Sequence, residues 1–275
     1  MRVLLIRPNG ESVIKEVLGA TGPPLGIGYI ASYVRDKHDV WILDAMGLNY
    51  SEEQVKREIE RVNPDIVGIS CPATPYVVDV ERTAEIVKSV DENIKVVVGG
   101  AHVTFMDKQT LRECPWIDFV VRGEGEETMR DLLETLERGG DLRDVEGITY
   151  RYKGEIIRTE KRPLIQDLDS IPFPAYDLMP MGAYKIGNFR YSVIITSRGC
   201  PFGCVFCSTS HMFGRKWRAR SPENVVEELK LLRHKYRVRE IEFLDDIFTL
   251  NKERAKKNPI LADASACKIV ALTDL

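Results

Sequence analysis

Three thiols fall within eight residues, Cys200-Pro-Phe-Gly-Cys204-Val-Phe-Cys207, spaced C-x₃-C-x₂-C. The apolar run Tyr191 to Thr196 before them reads as a buried strand. After them, Ser221-Pro222-Glu223 starts a helix: a serine cap, proline at the first helical position, then an acid. The cysteines therefore sit on a loop beyond the C-terminal end of a strand, where α/β folds hold their ligands. Three thiolates on one short loop can grip one face of a [4Fe–4S] cluster and leave the fourth iron open to another ligand. Zinc is the competing occupant. Structural zinc sites favour paired C-x₂-C units and four ligands. Here the first gap is x₃, no second pair follows, and His211 is the nearest candidate fourth ligand. A disulfide is disfavoured in a chain with this cytosolic character.

The run Thr196-Ser-Arg-Gly-Cys200-Pro, Phe206 before the last cysteine, and Gly214-Arg-Lys-Trp-Arg-Ala-Arg-Ser221-Pro-Glu-Asn resemble the radical S-adenosylmethionine enzymes. The likeness is to the branch with an N-terminal cobalamin-binding domain, which includes anaerobic magnesium-protoporphyrin ester cyclases. It runs from Met1 to about Arg254. The resemblance implies that Cys200, Cys204 and Cys207 hold the cluster and that S-adenosylmethionine chelates the open iron. One-electron reduction would then cleave S-adenosylmethionine to methionine and a 5′-deoxyadenosyl radical, or its methyl group would pass to the cobalt of cobalamin. Methyl transfer to an unactivated carbon or phosphorus, or a radical ring closure, is the chemistry implied. It would act on a small-molecule substrate, with a one-electron donor such as flavodoxin or ferredoxin as partner.

The elements that must position these groups begin at the N-terminus. Val3 to Ile6 is a short apolar strand ending at Pro8-Asn9-Gly10. Further strands are expected at Val40 to Leu43, Asp65 to Ser70, Ile94 to Val98 and Ile117 to Val121, alternating with helices. One helix opens on the capping box Ser51-Glu-Glu-Gln54. The expected fold class is α/β: a doubly wound parallel sheet of flavodoxin-like order 2-1-3-4-5, followed by the start of a partial (β/α) barrel. Such a sheet binds its ligand where the strand order reverses, beyond the ends of strands 1, 3 and 4.

Ser70 and Gly99-Gly100 end strands 3 and 4 there, and residues without Cβ let a bulky group approach the backbone. On pattern alone, Gly-Gly after a strand is as readily a turn. The resemblance implies that the serine and the glycine pair seat the nucleotide tail of cobalamin. His102, Gly123 and Asp245 are further cofactor-binding candidates. His102 can equally be a loop histidine hydrogen-bonded to backbone, and Asp245 can cap or pair with the nearby basic loop. Glu124 and Glu126 read equally well as charges favoured at a helix N-terminus. The segment Arg7-Pro-Asn-Gly-Glu-Ser-Val13 departs from the D-x-H-x-x-G loop of cobalamin methyltransferases. A bound cobalt is therefore expected to lack a histidine from this loop.

Gly147 to Thr159 reads as a β-hairpin around Lys153-Gly154. Arg162 to Pro180 is a proline-punctuated linker whose apolar residues suggest packing along a surface. The expected division is 1–145 for the cobalamin-binding domain, 146–187 for the hairpin and linker, and 188–275 for an incomplete barrel. Only two βα units of that barrel are clear, at Tyr191–Thr196 and Glu240–Leu244. Truncation at the C-terminus, or a second chain completing the barrel, is the expectation. It leaves open a non-catalytic cobalamin-binding module as the rival function.

Hydrophobic residues make up 44% of the chain, enough for real cores, and the net charge of −3 carries no bulk nucleic-acid footprint. The basic run Arg215 to Arg220 reads as a solvated or phosphate-contacting loop. Met1 to Ile6 is too short for a signal peptide, and no apolar run approaches a membrane span. A cytoplasmic protein is expected, with Cys71, Cys114 and Cys267 as ordinary reduced thiols.

Overall fold

The computed structural model describes residues 1–10, 22–257 and 268–270, with the backbone alone for 256–257 and 268–270. Residues 11–13 of the segment Arg7 to Val13, and Cys267, lie outside the described residues. Seven strands form the first sheet: β1 (Arg2–Arg7), β2 (Asp39–Asp44), β3 (Ile66–Ser70), β4 (Lys95–Gly99), β5 (Phe119–Val121), β6 (Ile148–Tyr152) and β7 (Glu155–Arg158). Their order is β2-β1-β3-β4-β5-β6-β7. The first five run parallel, in the order expected, and β6 pairs antiparallel with β5. The hairpin thus widens the same sheet.

Alternation along the strands builds a core on each face. Val3 and Leu5 of β1 enter one core with Val97, Met129 and Leu132; Leu4 and Ile6 enter the other with Val67, Val96 and Val98. Helix Glu52–Val62 opens on the capping box, with Ser51 accepting from the Gln54 amide and the Gln54 side chain bonding back to Ser51.

The second sheet has the order β13-β12-β9-β8. It contains β8 (Lys185–Ile186), β9 (Phe189–Ile194), β12 (Glu240–Phe243) and β13 (Lys268–Val270). Strands β9, β12 and β13 are parallel, as successive βα units require. Between β9 and β12 in the chain, β10 (Ser197–Arg198) and β11 (Arg218–Ala219) make a two-rung antiparallel ladder.

The linker is more deeply placed than its composition suggests. Tyr176 and Tyr184 are fully buried, in a core shared with Leu25 and Tyr29 of helix Leu25–Val34 and with β9 and β12. Their hydroxyls donate to Glu228 Oε1 at 2.7 Å and Asp44 Oδ2 at 2.6 Å. The phenol rings supply the apolar burial and the carboxylates satisfy their polar tips. Arg215 to Arg220 is solvated only at its start: Arg215 and Lys216 are exposed, but Arg218 and Arg220 are buried, and Arg220 pairs with Glu228. Among the described residues no helix is long and apolar enough to cross a membrane.

Candidate functional site between two strand ends

A cavity of about 210 Å³ lies where the C-terminal ends of β3, β4 and β5 meet the second half of the chain. Strand register explains its depth. Leu5 pairs with Gly68, Gly68 with Val97, and Ser70 with Gly99. Residues two apart on a strand share a face, so Gly68 and Ser70, and Val97 and Gly99, line one continuous wall. The glycines of the lining serve two ends: a Cβ at Gly68 would come within 2.7 Å of Leu5 Cδ2, so packing excludes a side chain there, whereas at Gly26 and Gly123 it would meet nothing within 4 Å. The opposite wall carries Ser197, Arg198, Met212, Phe213 and Asp246. An apolar cavity with a few polar groups at its rim suits a large organic cofactor. The apolar lining, with Gly99 and Gly100 at the strand end where a bulky group can approach the backbone, fits cobalamin.

Ser70, Gly99, Gly100 and Gly123 all line the cavity. Gly100 also has a structural reason to be glycine. Its φ is +124°, and a Cβ would stand 2.2 Å from the Cys71 carbonyl oxygen. His102 is not part of the cavity lining; its Nδ1 lies 3.1 Å from Thr74 Oγ1, a side-chain partner where a backbone one was the expected alternative. Asp245 is buried, accepting from the Thr196 amide at 3.1 Å and from the hydroxyls of Thr196 and Ser197. Burial pushes its carboxyl up, against those hydrogen bonds. Its neighbour Asp246 is the one that lines the cavity, accepting from Thr209 Oγ1 at 2.9 Å.

The cysteine loop leaves the cavity wall at Arg198. Cys200 and Cys207 are half-buried, Cys204 is exposed, and none is in a disulfide. The Cys200 amide donates to the Gly214 carbonyl at 3.2 Å, and the Cys207 amide to the Cys204 carbonyl at 3.1 Å. Between the first and last thiols, Val205 and Phe206 are almost wholly exposed. Among the described residues, no three His, Cys, Asp or Glu side chains are grouped closely enough to hold a metal. No such group includes His211 as a zinc ligand. The donor chemistry, three free thiols on one short loop, fits an iron–sulfur cluster, whose thiolates bind different irons and need not converge on one ion.

Sequence reasoning missed the charge cluster between these two regions. Glu124 Oε1 accepts from Arg198 Nη1 at 3.1 Å and from Arg218 Nη1 at 2.9 Å, and Glu124 Oε2 from the Ile165 amide at 2.8 Å. Glu126 Oε1 accepts from Arg198 Nη2 at 2.6 Å. All four charged residues are buried. The Arg198 guanidinium also lies 5.4 Å from the centre of the Tyr29 ring. Burial pulls that guanidinium down, and Glu126 and Glu124 more than reverse it, so it is held above its usual range. Removing one member would strand a buried charge at a cost of about 3–5 kcal/mol.

Residues 11–133 match the B12 binding domain family, and residues 194–273 match the radical SAM superfamily. The chain thus belongs to the family that joins a B12-binding domain to a radical SAM domain. Its relatives place it more narrowly, among homologues of the anaerobic cyclases and cobalamin radical SAM methyltransferases. An uncharacterized methyltransferase of Pyrococcus horikoshii is 49% identical over 255 residues, 93% of this chain and 55% of that protein. The anaerobic magnesium-protoporphyrin IX monomethyl ester cyclase of Rubrivivax gelatinosus is 41% identical over 241 residues, 84% of this chain and 42% of that protein. The chain spans about half the length of these curated relatives. The fold is shared with OxsB, described as a cobalamin-dependent S-adenosylmethionine radical enzyme with aqua-cobalamin and S-adenosylmethionine bound. The TM-score is 0.79 at 24% identity, covering 97% of this chain and 38% of that one.

Proposed function

We propose that the chain seats cobalamin in the glycine-lined cavity and a [4Fe–4S] cluster on Cys200, Cys204 and Cys207, and acts with S-adenosylmethionine on a small-molecule substrate. Methyl transfer and radical cyclisation are the two reaction types in question. The observation that carries this reading is the shared wall: Arg198 lines the cavity and stands two residues before the first cysteine of the loop. When bound, the cluster supplies an electron to S-adenosylmethionine and cobalamin supplies a methyl carrier.

The chain's own residues do the holding. Gly26 and Gly123 leave room for the corrinoid, and Ser70 offers it a hydroxyl. Asp246, at the end of β12 and on the cavity wall, is the carboxylate available to a cationic amino group. Residues 1–145 would form the corrinoid-binding part, 146–187 the bridge and 188–275 the radical part. A flavodoxin- or ferredoxin-like protein in the cytoplasm would supply the electron. A second chain, or further residues of a longer protein, would complete the barrel.

A second reading, a corrinoid-binding module without catalysis, is favoured by one observation: the cavity is formed, while among the described residues the second sheet has three parallel strands. Anaerobic reconstitution with iron, sulfide and hydroxocobalamin separates the two. The first reading expects about four irons per chain, one cobalt, and S-adenosylmethionine turnover on reduction with dithionite. Cobalt without iron would support the module; neither metal would contradict both readings.

A further inference from the structure

We propose that the buried Glu124, Glu126, Arg198 and Arg218 cluster couples the two cofactor sites, so that filling the cavity and assembling the iron–sulfur cluster each tighten the other. The inference rests on the cofactor assignments under Proposed function and adds a dependence between them. Its basis is that Arg198 belongs to both regions. It lines the cavity together with Glu124, Glu126 and Tyr29. It also begins the segment Arg198-Gly199-Cys200, which leads straight into the thiol loop.

The connection is stiff at each step. Arg198 is tied to Glu124 and Glu126, which follow β5 of the first sheet, and it pairs in register with Arg218 across the β10–β11 ladder. Arg218 returns to Glu124 and also donates to the Ile165 carbonyl of the linker. Gly199 has φ +88°, and a Cβ there would lie 2.5 Å from the Lys216 carbonyl oxygen, so the backbone between Arg198 and Cys200 has little freedom. Two carboxylates and two guanidiniums balance in charge, and moving one alone would leave a buried charge unpaired. The four therefore shift together or not at all. A cluster held on Cys200 fixes the backbone that leads into this group from one side. A ligand filling the cavity fixes the same group from the other side. Linkage makes the effect reciprocal.

The test is the affinity of hydroxocobalamin, measured by equilibrium dialysis on the full chain with and without an assembled cluster. A second arm measures iron retention against a chelator with and without corrinoid. Wild type is expected to show a ratio of about tenfold in both directions. In Glu126→Gln and in Arg198→Lys the ratio falls to near one, whatever each substitution does to the affinity for either cofactor alone. An exposed ion-pair variant, Asp177→Asn, keeps the wild-type ratio and controls for general loosening. Should one cluster variant fail to fold, the other and the wild-type ratio still decide. A wild-type ratio of one, or an undiminished ratio in the folded variants, overturns the coupling and leaves the cofactor assignments intact. Failure of wild type to bind corrinoid or iron overturns both.

Discussion

The strand-end cavity and the cysteine loop lie on either side of Arg198 and are built in opposite ways. The cavity is a product of backbone. Register places Gly68, Ser70 and Gly99 on one wall, and apolar packing on both faces of the sheet holds it open. The loop has little packing of its own. Its middle residues Val205 and Phe206 face solvent, and Cys204 is exposed with them. A site for a bulky organic cofactor can be preformed, because the sheet that lines it folds for its own reasons. A site of three thiolates repels itself without a cation and is completed by the metal it binds.

This contrast can be broken most severely on the backbone side. Gly100→Ala places a methyl against the Cys71 carbonyl at a positive φ. It should cost about 3 kcal/mol, read from urea unfolding of the cofactor-free protein. A loss near zero would mean that the strand end yields easily and is not preformed. Gly26→Trp is gentler on the fold, since Gly26 is exposed and a Cβ there meets no atom within 4 Å. It should weaken hydroxocobalamin binding at least about tenfold, or ~1.4 kcal/mol, without lowering the melting temperature. Unchanged affinity would move the corrinoid elsewhere.

Thiol reactivity sharpens the difference. Burial pushes the Cys71 thiol up to about 12, so it stays protonated and unreactive through neutral pH. Alkylation of metal-free protein near pH 8, mapped by peptide mass spectrometry, should label Cys204 first and Cys71 last. Rapid labelling of Cys71 would show the first sheet opening as readily as the loop. The smallest effect is expected at Phe206, which is 89% exposed. Phe206→Ser should change the stability of metal-free protein by less than about 0.5 kcal/mol. A larger loss would show that the ring packs somewhere in the absence of a cluster.

Much of the first sheet was legible in the sequence, because its signals are local. Apolar runs of strand length, a capping box at Ser51–Gln54 and glycines at strand ends each act over a few residues. The cysteine spacing was equally plain. The ion pairs were not. Glu124 and Arg198 are 74 positions apart, and a helix N-terminus was already a sufficient local account of two glutamates. Arg218 and Arg220 looked like part of a solvated basic run, and only the tertiary contacts with Glu124 and Glu228 explain their burial. The linker's packing was legible in its apolar residues, but its depth at Tyr176 and Tyr184 was not, because prolines signal an irregular path and not how deep it runs. At the end of β12, sequence cannot tell which of two adjacent aspartates turns inward to hydroxyl donors and which faces the cavity.

The most direct test counts iron and cobalt in one sample: Cys204→Ala, reconstituted anaerobically with iron and sulfide at saturating hydroxocobalamin. A cavity built by the sheet and a metal site built by the thiols predict about one cobalt and almost no iron per chain. Iron retained at the wild-type level would contradict the thiol assignment, and cobalt lost along with the iron would contradict a cavity that stands on its own.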